Sequence, residues 1–131
     1  MANSLVNSPG SYVSLFHSEQ AKDLPKPFEQ EVILFRTFIA GTSRVGGAEE
    51  LAQHLYPGED LKLKRAPDNW VDELAVEVYT KEQVKLGFIP RIDNVVPAAL
   101  MDAGKTLFAR ITDIDTTERG ILITMDVILR D

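Results

Sequence analysis

The sequence predicts an α+β domain that is mainly β, with six short strands closing into a small barrel and two helices beside them. Three observations carry this. Six short segments are rich in apolar and β-favouring residues and are bounded by Gly, Pro and Asx turns. Strands come first and helices are inserted between them, which does not fit alternating βαβ units around a parallel sheet. A chain of 131 residues buries one core rather than two, and short antiparallel strands that must hide their edges often close into a barrel.

Residues 1–30 read as an N-terminal arm or linker. They mix Ser, Asn, Pro and charges and end in Leu24-Pro25-Lys26-Pro27, a polyproline-like run. Tyr12-Val13-Ser14-Leu15-Phe16 is the apolar exception. The domain proper is expected over residues 31–131. Glu31 to Ala40 is nearly continuous in β-favouring residues, as in a buried strand. After Gly46-Gly47, Ala48 to Leu55 predicts a helix with Leu51 and Leu55 on one face and acidic residues in its first turn. Leu61, Leu63 and Arg65 alternate with Lys62 and Lys64, a strand with one wet face. Leu74 to Tyr79 and Val84 to Ile89 are two more strands joined by Lys81-Glu82-Gln83. Asp93-Asn94 are placed to cap a second helix holding Pro97 in its first turn and ending at Gly104. Thr106 to Ile114 and Ile121 to Leu129 complete the strands, with Asp115 to Gly120 as the hairpin loop.

Composition excludes several classes. Cysteine is absent, so neither disulfides nor thiolate zinc sites exist, and the two histidines, His17 and His54, have no second ligand spaced beside them. No metal and no cofactor is expected. Asp113 and Asp115 share a strand face but lack a third ligand and read as a polar strand end. No secretory signal or membrane-length apolar run is visible, so a cytoplasmic protein with no membrane partner is the expectation. The net charge of −6 argues against coating long nucleic acid. Any binding of nucleic acid therefore falls to a local patch and is weak at physiological salt. No Ser-His-Asp, Cys-His or glycine-rich phosphate-binding arrangement can be assembled, so no enzymatic activity is expected.

The densest information lies between Arg65 and Arg91. Arg65-Ala66-Pro67-Asp68-Asn69-Trp70-Val71-Asp72-Glu73-Leu74-Ala75-Val76-Glu77-Val78 is a strand end, a turn and a strand start, and Gly87-Phe88-Ile89-Pro90-Arg91 closes the next strand. Proline presets its backbone angle and Asx side chains bond following amides, so the turn has a mechanism. This ordered set resembles the HIRAN domain, whose pattern is an Arg, a Pro two residues on, an Asn, a nearby Asp, Ala-Val-x-Val, and then Gly-aromatic-hydrophobic-Pro-Arg. The likeness runs from about Thr37 to the C-terminus.

The resemblance implies a compact barrel related in shape to the OB fold. It also implies a function, since characterised members attached to DNA-remodelling helicases grip the 3′ end of single-stranded DNA. It places the ligand-contacting Asn and Asp on Asn69 and Asp72. An ionised Asp accepts a hydrogen bond from a free 3′ hydroxyl and repels a 3′ phosphate. The competing reading is that both side chains only hold the turn. Stacking a base on an aromatic ring contributes about 1–3 kcal/mol without sequence preference, and here the chain departs from the family. Val71 stands where DNA-binding members carry Tyr, Thr42 to Val45 stand where they carry tyrosines, and the last hairpin has no aromatic.

Trp70 and Phe88 are the candidate replacements, against the alternative of core packing, and Arg44 can stack through its guanidinium plane while pairing with a phosphate. Lys62, Lys64, Arg65, Lys85 and Arg91 surround the same turn as a phosphate-holding patch, or else form a solvated face whose edge lysines discourage aggregation. The leading function is a noncatalytic module that recognises single-stranded DNA ends, with a helicase or other DNA-processing protein as a further partner. The alternative is a protein-interaction or self-association module, in which a groove or open edge receives a peptide or a second copy. In that case the apolar strand from Ile121 to Leu129 could pair between subunits if it lies at an edge.

Overall fold

Six strands form one antiparallel sheet in the computed structural model, which describes residues 30–42, 50, 53–118 and 120–131. They are β1 (Glu31–Phe38), β2 (Asp60–Arg65), β3 (Val76–Tyr79), β4 (Lys85–Phe88), β5 (Thr106–Thr117) and β6 (Gly120–Arg130), in the order β1-β6-β5-β2-β3-β4. The mainly β architecture and all six expected strands are present. Period-two alternation sends one set of side chains inward, including Leu61, Val76, Val78, Leu107, Ile111, Ile123, Met125 and Val127, which make the core. Each such burial contributes about 1.5–3 kcal/mol.

One helix is described, α1 (Val95–Asp102), entered through a 3-10 turn at Arg91–Asp93. Pro97 and Ala98 are its buried residues. Its C-terminus is a Schellman motif: Lys105 N donates to Leu100 O and Gly104 N to Met101 O, both at 3.0 Å, with Gly104 at φ +89°. Half of the other expected helix, residues 48–55, falls outside the described residues, as do the N-terminal arm up to residue 29 and its Tyr12 to Phe16 cluster.

Three expectations need correction. The segment from Glu31 to Ala40 is not a buried strand: β1 lies at one end of the sheet order and is exposed along most of its length, with Thr37 its one buried residue. The last hairpin loop is shorter than Asp115 to Gly120, because β5 pairs with β6 out to Thr117 opposite Gly120 and leaves only residues 118 and 119 between them. The apolar β6 is not an edge. It lies between β1 and β5, hydrogen-bonded on both sides, and so has no open side for a second subunit.

The sheet curls into a half-barrel whose ends touch. Just beyond β1, Ala40 N donates to Phe88 O at 2.8 Å and Phe88 N donates to Ala40 O at 2.9 Å, linking β1's continuation to β4. Gly87 makes this approach possible: a β-carbon there would fall inside the contact distance of the Ala40 carbonyl oxygen and 2.8 Å from Ile39 Cγ2. The glycine of the Gly-Phe-Ile-Pro-Arg run is therefore a closure residue.

Candidate nucleic-acid interface

The connection from β2 to β3 is held by its own side chains. Asn69 Oδ1 accepts from the amides of Val71 at 2.9 Å and Asp72 at 3.1 Å, and Asp72 Oδ1 accepts from Leu74 N at 3.0 Å. These are the Asx bonds that the turn chemistry predicts. Beneath them lies Arg65, whose Nη1 donates to Ala75 O at 2.8 Å and whose Nη2 donates to Glu73 O at 3.0 Å. The same guanidinium grips Asp102 of α1 at 2.9 and 3.2 Å, which holds the Asp102 carboxyl below its ordinary range. The structure thus gives Arg65 a different task from the expected phosphate contact: it is a strut that fastens the turn to the helix.

Against this turn lies a hollow of about 320 Å³, lined by Ala40, Asn69, Val71, Asp72, Ala75, Phe88, Ile89, Arg91 and Asn94. Its walls are mostly apolar, with Asn69, Asp72, Arg91 and Asn94 as the polar residues, as in ligand sites generally. Asp72 Oδ2 accepts a hydrogen bond from Asn94 Nδ2 at 2.7 Å, and Arg91 Nε lies 3.9 Å away. The Leu74 amide, then Asn94, and then the charges of Arg91 and Arg65 outweigh partial burial and lower the pKa of Asp72. Asp72 therefore stands as an acceptor-only carboxylate at neutral pH. Asn69 Nδ2 has no hydrogen-bond partner among the described residues.

Trp70 projects from the same turn and is 94% exposed, which excludes the core-packing alternative for this ring. Phe88 is half-buried and forms part of the hollow wall. Strand register brings the lysines to the same side. Lys64 faces Glu77, which faces Phe88, and Lys62 faces Tyr79, which faces Lys85. Lys64 Nζ stands 5.9 Å from the Tyr79 ring centroid and Lys85 Nζ 4.3 Å from that of Phe88. Glu77 ties Lys85 down at 2.8 Å, so part of that positive field is cancelled. Arg44 lies outside the described residues.

Local sequence reasoning missed three participants. Ala40 reaches the hollow only through the closure with β4. Tyr79 shares the lysine face, a placement that depends on which strands pair. Asn94 carried a signal, the helix-capping pattern, but that signal pointed to a different role: its side chain caps nothing and bonds Asp72 instead. Among the described residues no group of three or more metal-ligating side chains occurs, and no helix is long and apolar enough to cross a membrane.

A curled antiparallel sheet with one helix and a hollow beside the β2–β3 turn defines a small, mainly β domain. The sequence profile of the HIRAN domain matches residues 32–129, and the chain belongs to that family. Among solved structures, a protein from Lactobacillus plantarum is similar with 26% identity and a TM-score of 0.73, covering 79% of this chain and 98% of its own. The HIRAN domain of human HLTF shares the fold with 16% identity and a TM-score of 0.60, covering 76% of this chain and 78% of its own. No curated protein matches the sequence.

Proposed function

We propose that this protein is a noncatalytic nucleic-acid-binding module that receives the end of a single DNA strand, with a free 3′ hydroxyl, in the hollow beside the β2–β3 turn. The observation that carries the reading is the joining, in one hollow, of an ionised carboxylate, an amide with unbonded N–H groups and a cation, with an exposed indole at the turn that forms the rim. Asp72 and Asn69 bond the terminal sugar, Arg91 holds the nearest phosphate, and Trp70 and Phe88 stack bases. Lys62 and Lys64 meet phosphates further along the strand. Tyr79, on the lysine face, is a second platform that offsets the missing family tyrosines. No bond is broken in this reading, and a helicase or other DNA-processing partner would supply any catalysis.

The test is a binding titration with single-stranded oligonucleotides ending in 3′ hydroxyl or 3′ phosphate, repeated with Asp72→Ala. End recognition predicts a preference for the hydroxyl that the substitution abolishes. Salt-sensitive binding indifferent to the end would leave only generic phosphate contacts.

A second reading, protein interaction, draws on a groove of about 340 Å³ between β1 and the start of α1, lined by Leu34, Phe35, Ile92, Asp93, Val95 and Val96. Ile92 is 86% exposed there, in the manner of interaction surfaces. Absence of any oligonucleotide binding would favour it.

A further inference from the structure

The residue at the head of α1 does not do what its position suggests. An Asn before the first helical residue ordinarily accepts a hydrogen bond from a first-turn amide, yet the Asn94 side chain makes no such bond. It is only 2% exposed. A buried primary amide turned away from the helix end requires a compensating partner, and here the partner is Asp72 Oδ2 at 2.7 Å. The other Asp72 oxygen is taken by the Leu74 amide at 3.0 Å. With one bond on each oxygen, the plane of the carboxylate is set.

We propose that Asn94 is the positioning residue of the strand-end site: its amide holds the Asp72 carboxylate in one orientation and in its acceptor-only form, so that a hydroxyl-terminated strand is taken and a phosphate-terminated one refused. The inference rests on the strand-end reading of the hollow. Its chemistry is simple, because an N–H donor bonds a carboxylate oxygen but gives nothing to the proton of a carboxylic acid, and so favours ionisation. The charged groups facing Asp72 from its other sides are Arg91, after β4, and Arg65 of β2, itself paired with Asp102. No second carboxylate is among the groups that act on Asp72. Asp93, the neighbour of Asn94, accepts the Thr37 hydroxyl at 2.7 Å instead.

Asn94→Asp separates positioning from capping, since Asp caps a helix as well as Asn does. The substitution places a second carboxyl in contact with Asp72, and two carboxylates so close share a proton rather than both ionise. In a carbon-13 NMR titration of the free protein, the Asp72 carboxyl of the native chain should titrate below the ordinary aspartate range, whereas the variant's pair should titrate in two steps, the second of them above that range. A fluorescent oligothymidylate of about ten nucleotides with a 3′ hydroxyl should bind the native protein equally at both pH values used for the variant. It should bind the variant about tenfold more weakly near pH ~8 than near pH ~5.5, because the shared proton restores a donor to Asp72 only at the lower pH. If Asn94→Asp does not fold, Asn94→Ser supplies the same test: the Asp72 midpoint rises and the hydroxyl-over-phosphate preference falls. An Asp72 titration unmoved by either substitution overturns the inference, whatever binds. A moved titration in a protein that binds no oligonucleotide supports the positioning role and sinks the strand-end reading alone.

Discussion

Gly87→Ala should be among the most damaging single-methyl additions in this domain. The added carbon would meet the Ala40 carbonyl oxygen and Ile39 Cγ2, and the first of these is backbone that cannot rotate away. Relief requires the segment after β1 to retreat from β4, which sacrifices the two Ala40–Phe88 hydrogen bonds at 2.8 and 2.9 Å. Each contributes about 0.5–1.5 kcal/mol net, and overpacking a fitted site costs about 1–3 kcal/mol. The expected loss is therefore about 2–6 kcal/mol, or roughly 10 °C or more in Tm for a domain of this size. Urea unfolding followed by far-ultraviolet circular dichroism measures it. Gly58→Ala is the control: nothing lies within 4 Å of its β-carbon, and only the positive φ of +95° resists a side chain, a cost of about 1 kcal/mol. If Gly87→Ala destabilises no more than Gly58→Ala, the closure argument is wrong. Ala40, Phe88 and Ile89 all line the hollow, so the same substitution should also weaken ligand binding.

Other outcomes follow from the same geometry. Arg65→Met removes the guanidinium bonds to the Ala75 and Glu73 carbonyls, the first of which keeps only the Ala66 amide at 3.0 Å, and should cost about 2 kcal/mol of stability, while leaving the salt dependence of oligonucleotide binding unchanged because Asp102 already neutralises this charge. Arg91→Gln should instead reduce the logarithmic salt slope by about 0.7. Trp70→Ala should lose about 1–3 kcal/mol of strand affinity with no change in Tm, since the ring is solvent-exposed; isothermal calorimetry and thermal melts together check this. Asp72 and Asp102 both have lowered pKa values in the folded state. Their contribution to stability is thus present above the unfolded aspartate value, near about 3.9, and is lost as pH falls through the lower folded values. Asp72→Asn should flatten the acid limb of the stability curve below about pH 4, as read by urea midpoints across pH.

Local physics was sufficient for much of this protein. Alternation in Leu61 to Arg65 identifies a half-wet strand whichever strand lies beside it, and the Asx bonds of Asn69 and Asp72 span two or three residues, so both were legible in the amino-acid order. The Schellman end of α1 at Gly104 is equally local, since it depends only on a backbone angle that glycine adopts freely. What escaped were consequences of pairing between distant segments. Whether β6 is an edge, whether Tyr79 joins the lysines, and whether Ala40 reaches the hollow are decided by long-range hydrogen bonds that no short window encodes. Arg65 and Asn94 carry the same lesson in their side chains. Each has a plausible local role, phosphate contact for one and helix capping for the other, and each is drawn elsewhere because folding brings a partner distant in sequence or on the next turn within hydrogen-bond reach, Asp102 and two carbonyls in one case and the Asp72 carboxylate in the other. The residue order by itself determined the strands, the turn and the family; only the closed tertiary structure decided which polar groups remain available at the hollow, because a donor engaged at 2.7–3.0 Å inside the protein is no longer offered to a ligand.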